Sequence, residues 1–474
     1  MTLEEKINKF FKKESVYKAP QIDNIFSGFN LPSFVKDWLI KRYTDKRGEI
    51  DVASVKNFLN VHIANKGSKL KGELMSEQKE IKILARLIIE PDVSSDQFRF
   101  SIPDTDIKAS EGIVPKHLVN KFQELKGGET WGVVTLAYVP PINPKKKNGV
   151  IEMTDFKRFK PYDVNIEYFR EMRKEFSTRE WIDLIIRSME YDPAGFSSLQ
   201  QKLIFISRLL VFVEPNINIM ELAPKGTGKS YVFNNLSKYG WVITGGIVTR
   251  AKLFYDMKKY LPGIVERYDF VAMDEIETIK FNDENELKGA LKNYLESGNF
   301  SVGNYRGTSN AGFMLLGNLP LDEDKRPKYR SYLRKLPDFF YDSALLDRFH
   351  GFIEGWKLPR IKENLKLKGL ALNVEYFSEV LHKLRTIPDF THVVNSLLEV
   401  PGDADTRDTR AIKKISSGYL KLLFPNVKNE EDIENEDFEK YCLQPAKEMR
   451  GIIRKQLNLI DPEYKPVLPD IRVR

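Results

Sequence analysis

The string Ala223-Pro224-Lys225-Gly226-Thr227-Gly228-Lys229-Ser230 can work in only one kind of local structure. Gly226 and Gly228 let backbone N–H groups turn inward on a phosphate, where a side chain would block the approach. Lys229 reaches the β- and γ-phosphates as a point charge, and the Ser230 hydroxyl ligates Mg²⁺. That geometry requires a strand ending at the loop and a helix beginning after it. The flanks comply: 217–222 is a short β-rich run, and 231–237 can begin a helix whose positive end faces the same anion. Ala223 stands where the commonest pattern has glycine, a position that accepts alanine. The whole loop, 223–230, is therefore expected to bind a nucleoside triphosphate.

Hydrolysis needs further groups downstream. Tyr268 to Met273 is an apolar strand that ends in Asp274 and Glu275. Asp274 is expected to hold Mg²⁺ through water, and Glu275 to polarise the attacking water. A second apolar strand, 312–317, ends in Asn318. In a parallel sheet the C-terminal strand ends face the nucleotide, so Asn318 is expected near the γ-phosphate. Arg348 follows the apolar turn 344–346, and its planar fork suits the charge that develops on a transferring phosphoryl group. In a ring it would reach a neighbour's site; alternatively it is a surface salt-bridge partner.

The chain has 474 residues, room for two to four domains. Residues 1–75 carry helical periodicity, with Phe34, Val35, Trp38 and Leu39 and then Val55, Phe58, Leu59 and Ile63. Strand-like runs follow at 80–89, 98–102, 131–139 and 150–156, and an OB-like barrel is expected over 76–165. A helical linker is expected over 166–210, entered through a Ser177 cap, and an ATPase core over 211–360. One cysteine, Cys442, excludes an internal disulfide and suits a reducing cytosol. The early acids argue against a secretory signal, and no apolar run is long enough to span a bilayer, so a cytoplasmic protein without a membrane partner is expected. The net charge of +8 is compatible with a polyanionic partner. Lys145, Lys146 and Lys147, in a proline-flanked loop, read either as a solvated charge run or as a DNA contact.

In order along the chain, Glu221 to Ser230, Ile243-Thr244-Gly245-Gly246, Asp274-Glu275 with Ile279-Lys280-Phe281, Tyr294 to Gly298, Asp347 to Gly351, Gly355-Trp356 and Arg407 to Ala411 form a specific set. With these strings the chain resembles the AAA+ ATPases, and most closely the BrxL family, the Lon-related component of bacterial BREX phage-defence systems. The core is also similar to that of the MCM helicases. Leu346-Asp347-Arg348-Phe349 resembles their arginine-finger motif, with Asp347 in place of serine.

The resemblance implies an α/β AAA+ core, a parallel sheet with helices on both faces, followed by a helical lid over 361–430 and a helical tail over 431–474. It implies a sensor-2 arginine at Arg407, or at Arg410 on the same helix face. It also implies a hairpin lining a central channel, with arms at 300–302 and 311–315 and Arg306 near the tip as a DNA contact. Function, cofactors and partners follow: ATP hydrolysis with Mg²⁺ by a homo-oligomeric ring, expected as a hexamer, that binds DNA and works with other defence-system proteins. Two alternatives stay open, an ATP-regulated DNA-binding scaffold with slow hydrolysis and an unfoldase serving a separate protease. Full-length BrxL-type proteins carry a Lon-protease-like domain after the lid; this sequence has no serine string of that type, so no proteolysis is expected.

Overall fold

The computed structural model describes residues 1–474 apart from 46–47, 64–69, 78, 93, 127, 142–148 and 259. Two units separate: 1–20, 164–255 and 262–474 form one, and 21–163 with 256–261 the other.

In the smaller unit every second residue from Ile83 to Ile89 is buried, the period of a strand with one inward face. Five strands, Ile81–Asp92, Gln97–Ser101, Gly112–Val114, Gly128–Val139 and Val150–Arg158, close into a barrel ordered first, second, third, fifth, fourth. Four of them cover the runs read from sequence. The third does not, because three residues are too few to show an alternation; it is held antiparallel to the second strand and parallel to the fifth. At Gly132 a Cβ would come within 2.2 Å of the Phe156 ring, so glycine here lets that buried ring fill the barrel. Helices Ser33–Arg42 and Val52–His62 meet through Trp38, edge-on to Phe58 at 5.7 Å.

The first twenty residues do not join those helices. Ser15–Lys18 pairs antiparallel with Gly369–Leu372, and Phe11 packs into a buried aromatic group with Phe169, Phe176 and Trp181 in the larger unit. Trp181 lies on the helix Thr178–Ser188, which Ser177 and Glu180 cap reciprocally.

The larger unit is built on a five-stranded parallel sheet ordered Gly351–Glu354, Asn218–Ala223, Gly312–Asn318, Phe270–Phe281, Gly240–Val248. Its inner strands are near-continuous apolar runs because both faces are buried. All strands point one way, so Ala223, Asp274 and Asn318 come out together at the C-terminal edge of the sheet, where strands end, while Asn218, Phe270 and Gly351 start at the opposite, N-terminal edge. Register fixes this: Asn318 lies beside Ala223, and Gly351 beside Ile219. Helices Val374–Arg385, Asp389–Leu397, Thr406–Leu423 and Gln444–Ile460 follow the sheet. No described helix is long and apolar enough to cross a membrane.

His350 staples the starting edge. Its Nδ1 accepts from the Asn218 N–H at 3.0 Å, and its own backbone N–H donates to the Asn218 carbonyl at 2.8 Å. Burial, reinforced by Lys414, Arg450 and Arg410, holds its pKa well below 6.5, so the folded ring is neutral. The unfolded ring takes up a proton near pH 6.5 and the folded one only at lower pH. Stability is therefore full above about pH 6.5 and falls below it, by up to about 1.4 kcal/mol per pH unit. Thermal melts between pH 7.5 and 5.5 should show this slope, and His350→Gln should flatten it while lowering the melting temperature at neutral pH. An unchanged slope would assign it to another group.

Candidate nucleotide-binding site

The loop after Ala223 is shaped by two left-handed glycines, Gly226 at φ +85° and Gly228 at φ +72°. A Cβ on Gly226 would meet no atom within 4 Å, whereas one on Gly228 would lie 2.6 Å from the Tyr191 hydroxyl. Three bonds hold the loop. The Gly226 carbonyl accepts from the Ile361 N–H at 2.8 Å, Thr227 Oγ1 donates to the Pro224 carbonyl at 3.3 Å, and Arg208 Nη1 donates to the Thr227 carbonyl at 3.1 Å.

Arg208 and its partner Glu221 are fully buried, joined by two bonds of 2.6 and 2.9 Å. Such bidentate geometry compensates the loss of hydration that both charges suffer. Sequence reading missed this pair. The signal was present: a glutamate inside an apolar central strand demands a buried cation.

Lys229 begins the helix Lys229–Asn235 and is buried. Its Nζ donates to Asn318 Oδ1 at 3.0 Å, a neutral partner. Burial lowers its pKa, against the opposing pull of Glu221, Asp274 and Glu277. A desolvated ammonium at an open glycine cradle fits a phosphate ligand, and the half-exposed Ser230 with the buried Asp274 supplies oxygen donors suited to Mg²⁺.

The two strand-end acids part company. Asp274 Oδ1 accepts the Glu275 N–H at 2.9 Å, and Glu275, at φ +51°, opens a bulge that turns its side chain to solvent. Glu277, a residue not picked out from sequence, occupies the inner position instead. It accepts from the Asn318 side chain and, at 3.4 Å, from the Asn318 N–H. A bulge re-aims side chains in this way, and nothing in the sequence marks where it falls.

The predicted arginines gather at the opposite sheet edge. Arg348 pairs with Glu296 at 3.3 Å, Arg407 Nε with the same carboxylate at 3.2 Å, and Arg410 Nη1 with it at 2.9 Å. Arg407 also donates to Asp347 at 2.8 Å. Asp347 in turn accepts from the fully buried Arg450 at 2.6 Å, which reaches Asp408 and the Asp347 and Phe349 carbonyls as well. The Arg348 carbonyl lies 3.5 Å from Asn218 Nδ2, at the start of the strand whose far end carries the glycine loop. At ~3.3 Å per residue those six residues separate the two ends by roughly 16 Å. Arg348 and Arg407 are thus distant from the phosphate loop of their own chain.

The hairpin after Gly298 is shorter than expected. Its arms are Asn299–Val302 and Tyr305–Thr308, with Ser301 opposite Arg306. The expected second arm, 311–315, belongs to the central sheet instead, where its continuous apolar run is buried on both faces. Arg306 is exposed but sits in an arm, while Gly303 and Asn304 make the turn. Tyr305 stacks on Tyr255 at 3.7 Å and bonds Glu266 at 2.9 and 3.0 Å; burial and that carboxylate push its pKa up to about 12. Lys145, Lys146 and Lys147 lie outside the described residues.

Residues 151–470 match the family model for the Lon-like protease BrxL-like ATPase domain, and 9–138 that for the BREX system Lon protease-like protein BrxL N-terminal region. The chain is similar to the Lon-like protease BrxL of Escherichia coli O9:H4 (strain HS), 28% identical over 437 residues that cover 91% of this chain. It is 26% identical over 458 residues, 95% of the chain, to the Lon-like protease BrxL of Bacillus cereus (strain H3081.97). The matches span 61% and 66% of the length of those relatives.

Proposed function

The chain belongs to the BrxL family, and on that premise we propose that it is an ATP-hydrolysing AAA+ protein that assembles into a ring, binds DNA and acts in BREX-type defence against phage. The observation that carries the nucleotide reading is the open Gly226 cradle beside a buried Lys229 whose partner is a neutral amide. Lys229 would bind the β- and γ-phosphates, Ser230 and Asp274 would hold Mg²⁺, and the helices Val374–Arg385, Asp389–Leu397 and Thr406–Leu423 would act as the lid. Bound Mg²⁺ would neutralise charge on the phosphates. Glu275 is the carboxylate proposed to polarise water, after its side chain turns in from solvent.

Ring assembly is supported by the position of Arg348 and Arg407. Since their own loop lies at the far edge of the sheet, any phosphate they reach belongs to another copy. DNA binding is supported by the net charge of +8, by the exposed Arg306 and by the closed five-stranded barrel, which supports the OB-like reading of that unit. The scaffold reading has one observation in its favour, the outward Glu275, which suits slow hydrolysis. The unfoldase reading calls for an exposed aromatic in a pore loop, and Tyr305, the aromatic beside Arg306 in the hairpin, is instead stacked and hydrogen-bonded.

ATP turnover with and without DNA separates hydrolase from scaffold. Lys229→Ala is expected to lose nucleotide binding while its core still folds. Glu275→Gln should still bind Mg²⁺–ATP but turn over at least about a hundredfold more slowly. A Glu275→Gln protein as fast as wild type would remove that residue from the reaction. For DNA, Arg306→Ala should weaken binding alike across sequences and lower the slope of log K against log salt by roughly one per subunit. Affinity and slope both unchanged would mean that the hairpin does not touch DNA.

A further inference from the structure

Glu277, Asn318 and Lys229 form a chain of three groups whose chemistry leaves one arrangement open. A carboxylate only accepts hydrogen bonds and an ammonium only donates them. The amide between them must therefore turn its Nδ2 to Glu277 and its Oδ1 to Lys229, as found, with Lys229 Nζ 3.0 Å from Oδ1. The second Glu277 oxygen accepts the Asn318 backbone N–H at 3.4 Å, so one side chain fixes both the main chain and the amide at the strand tip. Polarisation along such a chain also makes the amide oxygen a better acceptor.

Resting on the ATPase reading above, we propose that Glu277 is a positioning residue for hydrolysis. It locks the Asn318 amide so that its carbonyl oxygen, not its N–H group, faces the γ-phosphate. That oxygen holds Lys229 before ATP arrives. Once Lys229 has moved onto the phosphates, the same oxygen accepts a hydrogen bond from the attacking water and orients it. Without Glu277 the amide can flip and present a donor where an acceptor is needed.

A polarity swap tests this. Glu277→Gln alone and Asn318→Asp alone each break the chain, the first by weakening the lock and the second by facing two carboxylates. Together they rebuild it, because the amide and the carboxylate exchange places. The side-chain amide at position 277 then donates to one carboxylate oxygen at position 318, and its carbonyl accepts the backbone N–H. The other carboxylate oxygen still faces Lys229. In the 474-residue chain each single variant should lose about 10- to 100-fold in kcat, with ATP affinity within about twofold of wild type. The double variant should recover most of that loss, which a merely structural role would not give. A double variant no faster than the slower single variant, with both folded and binding ATP, overturns the proposal, as do single variants that match wild type. Should Asn318→Asp fail to fold alone, the double variant must still outpace Glu277→Gln. Wild-type protein without ATP turnover under any condition would sink the ATPase reading and this inference with it; wild-type turnover without rescue sinks the inference alone.

Discussion

Mixing Arg348→Ala with Lys229→Ala is expected to restore ATP turnover that neither protein has by itself. Arg348→Ala keeps an intact phosphate loop, so it should bind ATP almost normally yet lose about 10³-fold or more in rate. Lys229→Ala keeps an intact Arg348 but cannot hold the phosphates. Because Arg348 lies at the edge where Asn218 begins and Lys229 at the edge where Ala223 ends, the proposed site would draw one from each of two copies. In a random equal mixture about a quarter of head-to-tail interfaces pair an intact loop with an intact arginine, and recovery should approach that fraction. The competing outcome has a structural cause already in place, the 3.3 Å ion pair between Arg348 and Glu296. If Arg348→Ala assembles with Lys229→Ala and no activity returns, that ion pair is the role of Arg348, and the finger lies elsewhere.

The second large effect concerns stability. Arg208→Ala leaves the Glu221 carboxylate fully buried without its partner, and breaking a pair in that way typically costs about 3–5 kcal/mol. Such a loss is a large part of a domain's total stability, so the variant should melt far below wild type or fail to fold. Removing both charges behaves differently, because no unpaired ion remains: Arg208→Met with Glu221→Leu should fold within about 1–2 kcal/mol of wild type. That double variant still lacks the donor to the Thr227 carbonyl, so its loop is less fixed and its ATP affinity should fall. Denaturant titrations and nucleotide binding on the same proteins separate the two effects. Equal stability of Arg208→Ala and the double variant would show that the pair is not coupled.

Local signals carried much of this molecule. The glycine loop is legible because its glycines, lysine and serine have fixed offsets, and four barrel strands because their β-branched and aromatic runs are long enough to see. What was not legible depends on distant partners. The pairing of Ser15–Lys18 with Gly369–Leu372 joins residues far apart in sequence, and no local pattern in 15–18 points there. The hairpin's second arm was misplaced because 311–315 reads both as that arm and, within 312–317, as a strand of the parallel sheet; burial on both faces assigns it to the sheet. The inner place of Glu277 follows from a bulge that neither Glu275 nor Ile276 announces. Arg348, Arg407 and Arg410 were each picked out, but their convergence on Glu296 was not, since a charged side chain's partner is set by the fold.

The sheet has a further consequence for how copies can meet. Its two edges carry unlike chemistry, a glycine cradle at one and a guanidinium cluster at the other. A contact that joins cradle to cluster is heterologous, so a two-fold dimer, in which like meets like, cannot satisfy it. Copies joined in this manner form a cyclic array or an open helix, and every joint in it points the same way. In such an array each protomer would sense the nucleotide of the neighbour on one side only, so coupling between sites would run in a single direction along it.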